Sequence, residues 1–382
     1  MIKISSKNYH DLLRGKFEPA PRWKSVPDFA YNPLNVSGEL YTPIIDGEWI
    51  KKNKPPIWPD NKKFAVCLTH DVDAVSETNT AQNLRSMIKI LKSLSGKPIG
   101  ESLRWLIIHK MLALKGLLAK KENFCQFEKW LAVEQEVGAH STFYFAPERV
   151  LKPHHTDCMY TYDQNLEFRG DQIPVKQLMK TLDAEGWEIG LHPSWNAHAD
   201  LAEMVFQKEQ IEQTIGHPIR SVRQHFLKFD REKTHDVQAQ AGFLYDSTLG
   251  YNDNIGFRRG TSYPFTCFQS TEDKTRSLLQ IPLVAQDGAL LLADKGMRLN
   301  PDEALKYIRL LMEEVKHVGG VLTLSWHPHT MVMPGFWDLY KRTLKLISKE
   351  EPWFGTVSEI GTWWQEQVKI DLMKFTSELT GA

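Results

Sequence analysis

From residue 123 onward, segments of strand-like and helix-like pattern alternate, and this alternation limits the chain to a few architectures. A helix is expected over 124–136, a strand over 140–145, a helix over 174–185 and a strand over 187–192. The series continues with a helix near 199–214, a strand at 221–226, a helix near 231–241 and a strand at 243–248. Strands at 280–284 and 320–327, helices at about 302–317 and 336–349, and a last strand and helix after Trp353 complete it. Repeated β-α units imply a parallel sheet, and this many imply a barrel or a large open sheet.

Upstream of the series, the apolar run from Phe64 reads as a buried strand that ends in Thr69, His70, Asp71, Val72 and Asp73. Asp71 and Asp73 are two residues apart, so in extended chain both point to one side. Two carboxylates sharing a pocket repel unless a cation or a proton relieves them, which suggests a metal, a general base, or one of each. Residues 1–60, rich in Pro, Asn, Trp and Tyr, are expected as an extension packed on a barrel domain of residues 61–382. Between about 78 and 121 the pattern is helical, basic and amphipathic, with Glu101 as the only acid. It reads as a helical insertion that packs on its own domain or, alternatively, lies on anionic lipid.

Bulk properties narrow the partners. The 382 residues carry a formal net charge of zero, which argues against a general nucleic-acid binder. Apolar content of 42% and charged content of 25% suit a globular protein with ample core. Cys67, Cys125, Cys158 and Cys267 are scattered without CxxC spacing, so reduced thiols are expected. The first residues lack the apolar core of a signal peptide, and no run is apolar for long enough to span a bilayer. The cytoplasm is the expected location.

The strand ends are polar in a consistent way: Asp71 and Asp73, then His192, then Arg223 and His225, then Asp246, then His327. One histidine after a strand is usually a satisfied structural group. Five such endings converge on one mouth in a barrel, where βα folds place their chemistry.

In this order the motifs resemble the polysaccharide deacetylase family, the carbohydrate esterases with the nodulation-deacetylase homology domain. Leu68 to Asp73, Gly190 to Asn196, Val222 to Phe226 and Leu324 to His327 carry the resemblance, which covers roughly residues 62–365 with 78–121 as an insertion. It implies a distorted (β/α) barrel and a metal-dependent hydrolase that removes an acetyl group from an N-acetylated or O-acetylated sugar. Asp71 is then the general base, Arg223 the group that orients it, and His327 the catalytic acid. Asp73 and His192 are implied metal ligands, and the usual second histidine of that motif is Asn196 here, with His198 two residues on. His225 is a further candidate donor. Zinc is the expected ion, with cobalt or nickel as alternatives.

Weaker expectations attach to other residues. His70 is a partner of the site or a packed side chain, and Asp246 orients Arg223 or His327 or caps a turn. Trp195 and Trp326 are sugar-stacking candidates against a default of core packing, and Arg258 is a candidate for lining a glycan groove. His329 reads as a loop histidine. A lipid-linked or surface-polysaccharide precursor met at the inner membrane face would reconcile sugar deacetylation with the missing export signal. The competing readings are a glycan-binding or scaffolding relative with reduced catalysis, and a hydrolase of a non-sugar linear amide.

Overall fold

The computed structural model describes residues 5–18, 34, 38–76, 124–158, 160–267, 278–292 and 296–380. The expected insertion at 78–121, and with it the expected membrane contact, lies outside the described residues. Among those described, no helix is long and apolar enough to cross a membrane.

The strands in chain order are β1 (Ala65–Val72), β2 (Thr142–Phe145), β3 (Asn165–Phe168), β4 (Asp171–Pro174), β5 (Glu188–Leu191), β6 (Ser221–Val222), β7 (Tyr245–Asp246), β8 (Phe265–Thr266), β9 (Leu279–Gln280), β10 (Ala285–Gln286), β11 (Val321–Ser325) and β12 (Trp353–Phe354). Parallel pairing runs from β11 through β1, β2, β5, β6 and β7 to β9, while β10 pairs with the other side of β11. β1 is buried along its whole length, apolar to Leu68 as a strand inside a parallel sheet should be and polar only toward its carboxyl end. β3 and β4 form a separate antiparallel hairpin that the sequence pattern did not suggest.

The strand expected over 280–284 is instead divided between β9 and β10. Pro282 has no N–H to give to a ladder. Ile281 donates to the Asp246 carbonyl and Leu283 to that of Leu249, on the β7 side, at 2.8 and 3.0 Å. Val284 then donates to Thr323 of β11 at 3.0 Å. One irregular segment thereby links the two ends of the parallel series and curls it into a distorted barrel.

Helices cover the outside. Helix Pro301–Val318 starts with an Asn300 and Glu303 capping box and Pro at its first position, and ends on Gly319 at φ 75°. Its apolar face, with Ile308, Leu311, Met312 and Val315, packs with helix Phe336–Ser348 against β1 and β11. Helices Val175–Ala184 and Leu201–Ile215 cover β5.

The described residues before 60 pack on the same body. Helix Tyr9–Leu13 lies against helix Leu372–Thr380. Ile45 of helix Ile44–Ile50 donates its N–H to the Gly260 carbonyl at 2.9 Å. Asp46 is fully buried and accepts from the Thr261 hydroxyl and from the Ser262 amide and hydroxyl at 2.6 and 2.7 Å. Glu18 meets Arg258 at 2.9 and 3.0 Å and Arg259 at 3.1 Å.

Candidate active site

The carboxyl ends of six strands of the barrel supply one group of side chains. β1 brings Asp71 in its last turn of pleat and Asp73 just beyond, β5 leads to His192, β6 to Arg223 and His225, β7 to Ser247, β10 to Asp287 and β11 to His327. Asp71 and Asp73 do face one side. His327 Nε2 lies 3.9 Å from Asp71 Oδ2 and 3.8 Å from Asp73 Oδ2.

Asp71 is held from behind. Arg223 Nη1 donates to Asp71 Oδ1 at 3.1 Å and to the Thr69 hydroxyl at 2.6 Å. The same guanidinium donates through Nε to the Ser247 carbonyl at 2.9 Å and through Nη2 to the Ser247 hydroxyl at 2.8 Å. Its plane rests over the Tyr144 ring, 4.8 Å from the centroid. Gly190 makes room for that ring, since a Cβ there would stand 2.6 Å from Tyr144. A charge-assisted hydrogen bond from a guanidinium pinned in this way holds the carboxylate in one orientation.

His327 is held in turn by Asp287. Nδ1 meets Asp287 Oδ1 at 2.7 Å, and the His327 amide donates to Oδ2 at 3.0 Å. The Thr330 hydroxyl also donates to Oδ2, at 2.8 Å. Burial alone would lower the His327 pKa, but Asp287, with Asp73 and Asp71 adding to it, pushes it up to about 10. His327 is therefore cationic at neutral pH, with Nε2 carrying a proton toward the mouth. Asp287 had no place among the sequence expectations. The signal available was an acid directly after a short strand, masked by the unforeseen break at Pro282.

Asp73, His192 and His225 converge so that one donor atom of each lies within 4.8 Å of the others. His192 Nε2 is 3.2 Å from Asp73 Oδ1, and His225 Nε2 is 3.9 Å from it. His192 donates Nδ1–H to the Arg223 carbonyl at 2.7 Å, which turns Nε2 toward Asp73. Burial lowers the His225 pKa to about 4, so that ring is neutral, and its Nδ1 has no hydrogen-bond partner. Burial would raise the Asp73 carboxyl, but the His192 hydrogen bond and the charge of His327 hold it well below the usual range. Two imidazoles and a carboxylate held ionised are a donor set that fits a zinc-like divalent cation. Asp73 and His327, at 26% and 16% side-chain exposure, are the members that reach solvent; Asp71 at 3% lies deeper.

Asn196 and His198 stand elsewhere. The Asn196 amide donates to the Lys152 carbonyl at 2.8 Å, and His198 Nδ1 faces the Trp195 carbonyl at 3.1 Å. No helix joins 192 to 196, because Pro193 opens a loop and only a 3-10 turn, Ala197–Ala199, follows. His225 stands where a second imidazole was expected. β6 ends at Val222, short of the 226 expected, and just after His225 the chain turns through Phe226 and Leu227 at φ 56° and 50°.

The remaining expected residues divide by what they touch. His70 points behind the sheet, with Nδ1 on the Trp326 carbonyl at 2.9 Å and Nε2 on Glu134 at 2.6 Å. Asp246 accepts from Gln238 at 2.9 Å and from the Thr248 amide and hydroxyl at 3.2 and 2.5 Å, so it braces the turn that carries Ser247. Trp326 is buried against Tyr340, and Trp195 is buried with His154 stacked on it and the Lys228 ammonium 4.0 Å from its centroid. Neither offers an open face to a sugar. Arg258 is spent on Glu18 and the Gly250 carbonyl and lines no groove. His329 is mostly buried, edge-on to His327 with ring centroids 5.6 Å apart.

No protein-family model matches the chain, and no curated protein matches it in sequence. Solved structures do match its fold. A protein assigned as a polysaccharide deacetylase from Mycobacterium smegmatis superposes with a TM-score of 0.55 at 19% identity, over 84% of this chain and 96% of that one. PuuE allantoinase superposes with a TM-score of 0.52 at 15% identity, over 84% and 96%. A second protein assigned as a polysaccharide deacetylase, from Pseudomonas aeruginosa PAO1, gives 0.51 at 14% identity, over 82% and 96%. The barrel is therefore the one these proteins share, and the fold expected from the motif order is the fold found.

Proposed function

We propose, on that shared barrel, that the chain is a metal-dependent hydrolase that removes an acetyl group from an N-acetylated or O-acetylated sugar. The observation that carries this reading is the pairing of two opposed groups at the mouth. Asp71 is anchored by a buried arginine and His327 is kept cationic by a buried aspartate, with 3.9 Å between them. A base and an acid so placed serve the two proton transfers that amide or ester hydrolysis needs.

Asp73, His192 and His225 would hold a divalent ion, which would supply polarisation of an acyl oxygen and acidification of a water. Asp71 takes the proton of the attacking water, and Arg223 keeps that carboxylate in place as its charge is lost. His327 gives its Nε2 proton to the leaving nitrogen or oxygen, and Asp287 steadies the ring through the change. Zinc is the ion this donor set favours, with cobalt and nickel as the other candidates.

The sugar reading is supported by the motif order and by the names of two of the structural neighbours; the third neighbour's name, allantoinase, keeps a non-sugar amide as the second reading. Metal-free protein reloaded with zinc or cobalt should release acetate from acetylated sugars and lose that activity when the ion is withdrawn. Release from a linear amide alone would favour the second reading. No release from any of these substrates would leave a glycan-binding relative. A lipid-linked or surface-polysaccharide precursor, met from the cytoplasm at the inner membrane face, is the finer reading. It rests on the basic amphipathic pattern of 78–121, and failure to float with anionic liposomes would remove it.

A further inference from the structure

Behind the sheet stands a buried pair that the steps above do not use. His70 lies between Thr69 and Asp71 on β1, Glu134 lies on helix Phe127–Gln135, and both are fully buried. We propose that His70, held by Glu134, is a positioning residue for the catalytic acid: it fixes the peptide that carries His327 and so sets how far the acid stands from the base. The inference rests on the hydrolase reading above.

Three observations carry it. First, the contact is to the peptide of the acid itself. The regular ladder between β1 and β11 ends at Ser325, and the Trp326 amide adds one more bond, to the Thr69 carbonyl at 3.0 Å. The Trp326 carbonyl, which shares a peptide group with the His327 amide, then accepts from His70 Nδ1 at 2.9 Å. That amide donates to Asp287 Oδ2 at 3.0 Å. One peptide plane is thus gripped at both ends, its oxygen from β1 and its N–H from the end of β10.

Second, the ring has one way to serve both of its partners. A carbonyl oxygen only accepts, so Nδ1 carries a proton. Nε2 stands 2.6 Å from Glu134 Oε1, which also accepts from the Tyr340 hydroxyl at 2.7 Å, while Oε2 accepts from Trp187 Nε1 at 3.1 Å. Burial would raise the Glu134 carboxyl, but the charge and hydrogen bond of His70 outweigh burial and lower it, so the group is a carboxylate and Nε2–H donates to it. With a proton on each nitrogen, a ring flip or a change of tautomer would break a bond. The ring is also stacked on Phe143, with centroids 4.6 Å apart, and lies edge-on to Trp130 at 4.9 Å.

Third, stability alone does not call for the pair. Burying two charges costs their desolvation, and apolar residues of similar volume often serve a fold as well or better. What an apolar pair lacks is a donor aimed at the Trp326 carbonyl. His70 alternates along β1 with Thr69 and Asp71, which face Arg223 on the other side. The strand that carries the base therefore also holds the peptide of the acid, and the 3.9 Å between Asp71 and His327 is set across β1.

Two variants of the full chain separate the two ring nitrogens. The side-chain amide of His70→Asn reaches about where Nδ1 stands and keeps a donor for the Trp326 carbonyl, whereas that of His70→Gln reaches about where Nε2 stands and keeps one for Glu134 alone. Rates are taken per folded molecule, on zinc-loaded protein with acetylated sugars. His70→Gln should lower kcat about 10–100-fold, the effect of a displaced catalytic group, with KM and zinc affinity unchanged. His70→Asn should keep most of kcat although it breaks the same ion pair. Equal loss in the two variants, the reverse order, or a wild-type rate in His70→Gln overturns the positioning role and leaves the hydrolase reading standing. No acetate release by wild type overturns that reading and this inference with it. Should either variant not fold, nitrogen-15 NMR of histidine-labelled wild type decides: His70 must carry a proton on each ring nitrogen, and a bare Nδ1 overturns the assignment.

Discussion

Two buried polar clusters in this protein are built on opposite terms. Where the N-terminal segment docks, Asp46 and Glu18 are matched by protein donors in direct hydrogen-bond contact, from Thr261, Ser262, Arg258 and Arg259. At the mouth, Asp71 and Asp73 stand 3.8 to 3.9 Å from His327 and His225, and one imidazole nitrogen of His225 is unmatched. Buried polar groups that are fully satisfied hold a structure together, while groups held apart at a cost are kept for something that arrives. The same residue types thus serve anchoring in one place and chemistry in the other, and the spacing tells them apart.

The comparison is broken most directly at Asp71. Asp71→Asn should lower acetate release by about 10²–10⁴-fold, read as kcat/KM, while the protein still unfolds cooperatively; a variant that keeps its rate removes the mouth's claim to chemistry. Glu18→Ala tests the anchor, because it removes the carboxylate that faces both Arg258 and Arg259. Its expected cost is about 3–5 kcal/mol in urea unfolding, with the rate per folded molecule unchanged. A loss of rate without loss of stability would mean that the two clusters are not separate.

The smallest effect sharpens the anchor itself. Burial raises Asp46 to about 7, from an ordinary value of 3.8, against the pull of its hydrogen bonds. A folded-state pKa above the unfolded one means that the folded protein keeps a proton the unfolded chain has lost, so stability falls as pH rises from about 4 to about 7. Glu18 acts in the opposite sense: burial raises it, but Arg258 and Arg259 outweigh burial and lower it, so its contribution fades as pH falls. Asp46→Asn should flatten the decline of Tm between pH 4 and 7, and an unchanged slope would assign that decline to another group.

Sequence pattern made the parallel strands, their order and the convergence of Asp71, Asp73, His192, Arg223 and His327 readable, because apolar runs ending in polar residues are local signals. What escaped it depends on distance along the chain or on backbone turns. Arg258 meets a glutamate 240 residues away, and no local pattern announces that. Trp195 and Trp326 have the composition of sugar platforms, but burial is decided by neighbours such as His154 and Tyr340. The donor at 225 was open in the sequence only as an alternative, since it stands in the irregular turn beyond the end of β6 rather than in a regular element. Asp287 was hidden by the proline that divides its strand.

That proline leaves the barrel with a seam. Along it the wall changes partners within two residues, from β7 to β11, so few ladder bonds cross there. Asp71 and Arg223 stand away from it at β1 and β6, whereas Asp287 stands beside it at the end of β10, which only two register pairs join to β11. A shift along the seam would therefore reach Asp287 first and, through it, the ring of His327.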